Sequence, residues 1–158
     1  MEKEFIGLIK ENERIILKVC NIYCREPEDR EDLYQDILVQ LWKSFPNFSR
    51  KSKITTWMYR IAFNTAVSRF RKEKKQPSQE QISDRVVTDS LNEDENVSLL
   101  YSAIDSLNKI EKAIITLYMD GIKYKEIGEI MGLSESNVGF KINQIKKKLR
   151  VKLKLEMS

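Results

Sequence analysis

The sequence contains no histidine. The side chain most often used as a general base near neutral pH is therefore missing, and no acidic pair stands in a recognisable catalytic motif, so the chain is not expected to be an enzyme. Cysteine is scarce. Cys20 and Cys24 lie four apart on a predicted helix, a poor spacing for a disulfide, and no histidine or further cysteine completes a zinc set. Both are read as reduced thiols in or near a core, which suits a cytoplasmic protein. No cofactor is implied. Long apolar runs are also missing. "MEKEFIGLIKENERIILKVC" has none long enough for a secretion signal, and no segment is long enough to span a bilayer, so no stable membrane insertion is expected. Nowhere does an internal repeat or a two-residue strand alternation appear.

What remains is charged and helical. Of 158 residues, 41% are hydrophobic and 33% charged, which marks a globular chain of one compact domain or two small ones. The formal net charge is +4, but it is unevenly spread. Residues 1–75 carry sixteen Lys and Arg against eleven Asp and Glu. Residues 76–96 carry one against six, and residues 97–158 eleven against seven. Two basic blocks flank an acidic one. Basic blocks suit a polyanionic partner, although an ordinary solvated surface gives the same count.

Apolar spacing organises each block. Residues 4–24 repeat at helical intervals, with Pro27 as the exit. Residues 29–45 form a second helix on Leu33, Tyr34, Ile37, Leu38, Leu41 and Trp42. "SFPNFSRKSK" (44–53) breaks the pattern. Thr55 or Thr56 can cap a third helix running to about Arg71, with Trp57, Met58, Ile61, Ala62 and Ala66 on its core side. Residues 76–96 read as a flexible acidic linker, with Val86, Val87 and Leu91 as its few apolar exceptions. Four helical patterns follow. Asn108 caps the second of them, Gly121 closes it, Gly132 stops the third, and Ser134 caps the last. The expected fold is all-α: two small helical domains joined by the linker.

"YKEIGEIMGLSESNVGFKINQIKKKLR" (124–150) holds a short helix, a turn of about three residues with glycine, and a longer basic helix. That order is a helix-turn-helix over 124–149, although a helical hairpin with a solvated basic end looks similar. Val138, Ile142, Ile145 and Leu149 make the apolar stripe of the last helix. Ser136, Asn137, Phe140, Lys141 and Gln144 fall opposite, where a recognition helix meets base edges in the major groove. Lys146, Lys147, Lys148, Arg150, Lys152 and Lys154 suit phosphate contacts.

The first block has two further faces. Asp32, Gln35, Asp36 and Val39 recur at i, i+3, i+4 and i+7. An acidic face inside a basic block suits a protein partner, or is simply solvated. Thr56, Arg60, Asn64 and Ser68 are each four apart. Residues 50–75 hold nine Lys and Arg, Arg71 among them, against one acidic residue, Glu73, with Trp57, Tyr59 and Phe63 interleaved. Basic residues among aromatics suit single-stranded nucleic acid.

The order "DREDLYQDILVQLW", "FSRKSKITTWMYRIAFNTAVSRFRK", acidic linker, helix-turn-helix resembles a small, two-domain sigma factor of bacterial RNA polymerase, of the extracytoplasmic-function type. The resemblance implies sigma region 2 over 1–75 and region 4 over 97–158. It implies core RNA polymerase and promoter DNA as partners, with an anti-sigma protein as regulator. Asp32, Gln35, Asp36 and Val39 would then grip the polymerase. Asn47, Ser49, Lys51, Lys53, Thr56, Arg60 and Asn64 would melt and hold the downstream promoter element. Ser136, Asn137, Phe140, Lys141 and Gln144 would read the upstream element as duplex, with Arg71, Lys147, Lys148 and Lys152 on phosphates. Gly139 departs from the family pattern, where a basic residue is frequent, and Phe140 replaces a small polar one. The larger members' middle domain and acidic N-terminal segment have no room in this length. A stand-alone duplex-binding regulator would leave residues 29–71 unexplained. A helical adaptor that binds only proteins would leave the two basic blocks unexplained.

Overall fold

The computed structural model describes residues 1–49, 53–73 and 95–157, with side chains at all of these except 70–73 and 155–157. Among the described residues the chain is helical, without strands. It divides into two compact units, Met1–Lys75 and Gln76–Ser158.

The first unit contains α1 (Glu2–Glu11), α2 (Glu13–Tyr23), α3 (Pro27–Ser44), a short 3-10 turn (Phe45–Asn47) and α4 (Ile54–Glu73). The single helical stretch expected over 4–24 is two helices. Asn12 leaves helical geometry at φ −122° and ψ 23°, and its side-chain amide donates to the Leu8 carbonyl at 3.0 Å. The same carbonyl accepts the Asn12 backbone N–H at 3.1 Å, so backbone and side chain together close the helix end. Apolar spacing continues across this break, so periodicity could not reveal it. Pro27 does not close a helix. It begins α3 at the first turn, where its missing N–H costs nothing and its fixed φ is already helical.

α4 packs against α2 and α3 and forms the spine of this unit. Val19, Ile16, Leu33, Ile37, Leu41, Met58, Ala62, Phe63 and Ala66 are buried between them. Both cysteines are free thiols in this core, and burial, with Cys24 alongside, pushes the Cys20 thiol up to about 12. It stays protonated and unreactive at neutral pH. Tyr34 on α3 donates its hydroxyl proton to Glu13 on α2 at 2.7 Å. Burial first, then this bond, raises the phenol to about 12. A relay of rings closes the other end. Phe5 meets Trp42 at 5.0 Å and Phe45 at 5.3 Å; Phe45 meets Trp57 at 6.2 Å, and Trp57 meets Phe48 at 4.7 Å. These rings fasten α1 and the start of the 48–53 connection to α3 and α4.

The second unit contains α5 (Glu95–Asp105), α6 (Lys109–Met119), α7 (Tyr124–Met131) and α8 (Glu135–Met157). α5 takes in the last two residues of the expected linker. Glu95 therefore sits in a helical first turn, where negative charge is favourable. Residues 74–94, including Val86, Val87, Leu91, Glu93 and Asp94, lie outside the described residues. Asn108 and Glu111 close a full capping box on α6. That helix ends as a Schellman motif: Gly121, at φ 84°, donates to Tyr118 at 3.0 Å, and Ile122 donates to Leu117 at 3.1 Å. α8 is the spine here, packing against α5, α6 and α7 around Ile114, Leu117, Ile127, Ile142 and Ile145.

Both tryptophans, Trp42 and Trp57, belong to the first unit, so their fluorescence reports that unit alone. Phe45 is buried and touches rings on two helices. Phe45→Ala should lower the stability of the first unit by about 3–5 kcal/mol, as burial loss and the residual cavity add. Urea titration followed by tryptophan emission checks this; a shift under 1 kcal/mol would mean that the ring relay is not a structural joint.

Candidate nucleic-acid interface

α4 starts at Ile54, one residue before the expected cap, so Thr55 and Thr56 lie inside its first turn. Thr56 is buried and cannot belong to a DNA-facing surface. Tyr59 and Phe63 are also buried, with their rings stacked 5.9 Å apart. The interleaved aromatics are therefore chiefly core, and only Trp57 is half-exposed. Four-residue spacing does place Arg60, Asn64 and Ser68 on one exposed face. Asn47, Ser49 and Lys53 are exposed at the ends of the connection before α4. Lys51 and the side chain of Arg71 fall outside the described residues.

Asp32, Gln35, Asp36 and Val39 all lie exposed on α3. Between this face and α4 runs an open groove of about 790 Å³, lined by Asp32, Gln35, Asp36, Asn64, Ser68 and Arg69 among others. Arg69 is the residue that sequence reading missed. Its Nη1 donates to Asp36 Oδ2 at 2.7 Å, and its Nη2 stands 3.8 Å from Asp32 Oδ2. The Arg69 side chain is 22% exposed, against 54% for Asp36 and 65% for Asp32. The partners are 33 residues apart on different helices, and no local spacing rule reaches that far.

In the second unit, α7, the turn 132–134 and α8 follow in the expected order. Gly132 ends α7 in the left-handed region at φ 75°. Gly128 carries the tighter constraint. The Leu133 carbonyl lies where a Cβ on Gly128 would stand, and both Gly132 and Leu133 donate to the Gly128 carbonyl, at 2.8 and 2.9 Å. Only glycine lets the turn fold back this closely. A small residue one turn before a helix stop is the signal that would have found it. Ser134 then caps α8, its hydroxyl accepting from the Asn137 N–H at 3.1 Å.

Val138, Ile142, Ile145 and Leu149 are buried, so α8 has one committed side. Ser136, Asn137, Phe140 and Gln144 are exposed on the other, Phe140 to 61%, and Lys141 is half-exposed. At Gly139, which departs from a basic residue, a Cβ would stand 3.3 Å from the Tyr124 ring, so the ring would have to give by a few tenths of an ångström. Two lysines counted for phosphate are committed within the unit. Lys148 pairs with Glu111, whose other oxygen accepts from the Asn108 N–H. Lys146 donates to the Tyr118 hydroxyl at 2.8 Å, and that bond raises its pKa. Lys147 and Lys152 are exposed and half-exposed.

A family model described as sigma-70 region 2 matches residues 8–76, and one described as sigma-70 region 4 matches residues 98–149. The chain belongs to the sigma-70 family, in its extracytoplasmic-function group. It is 27% identical over 155 residues to the ECF RNA polymerase sigma factor SigW of Bacillus subtilis (strain 168), covering 88% of this chain and 83% of SigW. Two solved structures share the fold at 18% identity. One is the sigma factor RpoE of Bartonella quintana in complex with the anti-sigma factor NepR, with a TM-score of 0.68 over 97% of this chain and 96% of RpoE. The other is CnrH in complex with the cytosolic domain of CnrY, with a TM-score of 0.70 over 98% and 90%. This sigma factor is a non-enzymatic initiation factor that directs RNA polymerase to promoters; its partners are the core enzyme and promoter DNA. Among the described residues, no helix is long and apolar enough to cross a membrane.

Gly128→Ala should force the turn off its site and destabilise the second unit by about 1–3 kcal/mol, the usual range for an overpacked position. Thermal unfolding by far-UV circular dichroism should show a lowered transition while tryptophan emission from the first unit is unchanged. An unaltered melt would show that the turn has room to relax.

Proposed function

We propose a division of labour between the units. In the first, the α3 face of Asp32, Gln35, Asp36 and Val39 docks on the polymerase. The connection 47–53 and the exposed side of α4, with Arg60, Asn64 and Ser68, open and hold the downstream promoter element. In the second, Ser136, Asn137, Phe140, Lys141 and Gln144 read the upstream element as duplex, and Lys147 and Lys152 bind phosphate. The observation that carries this reading is the two-sidedness of α8. Its stripe from Val138 to Leu149 is buried, and the polar residues beyond the Ser134 cap face outward. A helix N-terminal half presented in this way matches the geometry of major-groove readers. Segment 76–96 would join the two activities, and the site of action would be the cytoplasm. A regulator of the anti-sigma class would act by covering these faces. The support for that is the likeness to RpoE, which was solved with such a partner.

Two measurements test the assignment. Lys141→Ala should weaken duplex binding by on the order of 1–3 kcal/mol and relax preference at one base pair, the cost of losing one good base contact. Lys147→Ala should weaken all duplexes alike and reduce the salt slope by roughly one. Identical footprints and salt slopes for the two variants would dismiss the separation of base-reading from backbone contacts.

The polymerase face needs a gentler variant than charge reversal. Lysines at 32 and 36 would crowd Arg69 with like charge and confuse folding with docking. Asp32 is the more exposed carboxylate and the more distant from Arg69. Asp32→Asn should keep the urea midpoint of the first unit, since exposed charges contribute little to stability. It should weaken core polymerase binding several-fold. Unchanged affinity in a titration with labelled protein would remove α3 from the docking surface.

A further inference from the structure

Arg69 sits at the seam between two proposed surfaces. Asp32 and Asp36 belong to the docking face on α3. Asn64 and Ser68, on the same helix as Arg69, border the groove from the nucleic-acid side. One guanidinium faces two carboxylates, so the rim keeps a net negative charge that attracts a basic partner. Both aspartate side chains are more than half exposed, so solvent and salt screen their pairing with Arg69 and leave it open to exchange.

We infer that Arg69 is an exchangeable counter-ion: it neutralises Asp32 and Asp36 in the free chain, and turns to a nucleic-acid phosphate when a basic group of the polymerase takes those carboxylates. The inference rests on the docking role proposed above for α3. A cation arriving at Asp36 repels the guanidinium already there. The stem of Arg69 is rooted in α4, and along that side of the groove its neighbours Asn64 and Ser68 are neutral hydrogen-bonding groups in line with Arg60. A phosphate running past them gives the displaced guanidinium a new anion and a bidentate contact. Binding of the polymerase and of nucleic acid to this unit are then coupled, and the coupling is reciprocal.

The test uses the full chain, core polymerase and a fluorescent single-stranded 20-mer. Arg69→Gln removes the competitor, so affinity for core polymerase should rise about two- to five-fold, the scale of one exposed ion pair. The complex should then bind the 20-mer more weakly, with a salt slope smaller by roughly one. Arg69→Lys keeps the charge and should stay near wild type on both counts. Asp36→Asn approaches the question from the other side, and covers the case in which Arg69→Gln does not fold. With its nearer acceptor gone, Arg69 should turn to phosphate more readily, raising the free chain's own affinity for the 20-mer about two- to five-fold. Weaker core binding by a folded Arg69→Gln chain, or an unchanged or lower affinity of Asp36→Asn for the 20-mer, would overturn the exchange. Asp32→Asn separates the two levels. If it leaves core binding unchanged, the docking role fails. If it weakens core binding while Arg69→Gln does not tighten it, the exchange alone fails.

Discussion

Burial of one side each of α4 and α8 is the constraint on which the rest of the structure depends. In the first unit Met58, Ala62 and Ala66 recur every four residues and are buried against α2 and α3. In the second, Val138, Ile142, Ile145 and Leu149, spaced three or four apart, are buried against α5, α6 and α7. A helix anchored along one stripe has its opposite residues fixed in direction, because 3.6 residues make each turn. Arg60, Asn64 and Ser68, and separately Asn137, Phe140, Lys141 and Gln144, face outward for that reason. The apolar cores thus orient the polar surfaces.

The sequence made the helices legible wherever a periodic stripe met a strong terminator. Asn108, Gly121, Gly132 and Ser134 all act as expected, because capping is local chemistry that depends on one or two neighbours. Boundaries without such a signal were less visible. The stripe of residues 4–24 runs straight through the break at Asn12. Pro27 was assigned to the wrong side of its boundary, since a proline after a helix and a proline at the first turn of the next look alike in sequence. Thr56, Tyr59 and Phe63 read as available to nucleic acid because composition alone does not say which side of a helix a partner helix covers.

Charge was the least legible property. Counting lysines near the C-terminus treats them as equivalent, yet Lys148 is tied to Glu111 and Lys146 to Tyr118. Counting acids on α3 treats Asp32 and Asp36 as unopposed, yet Arg69 stands across from both. In each case the partner lies 28 or more residues away, and only the packing of helices brings it near. Net charge names the kind of partner that a surface attracts. The tertiary structure decides which groups are still available to meet it.

The contact between Gly139 and the Tyr124 ring bears on how the outward face of α8 can be re-engineered. Position 139 lies within the stretch 136–144 that holds the proposed base-reading residues. A library that varies 136, 137, 140, 141 and 144 explores the outward face and leaves the hairpin alone. A library that includes 139 would also test how far the Tyr124 ring can yield, since a Cβ there stands 3.3 Å from it. Holding glycine at 139 keeps the close approach of α8 to the Tyr124 ring unchanged while the outward face is varied.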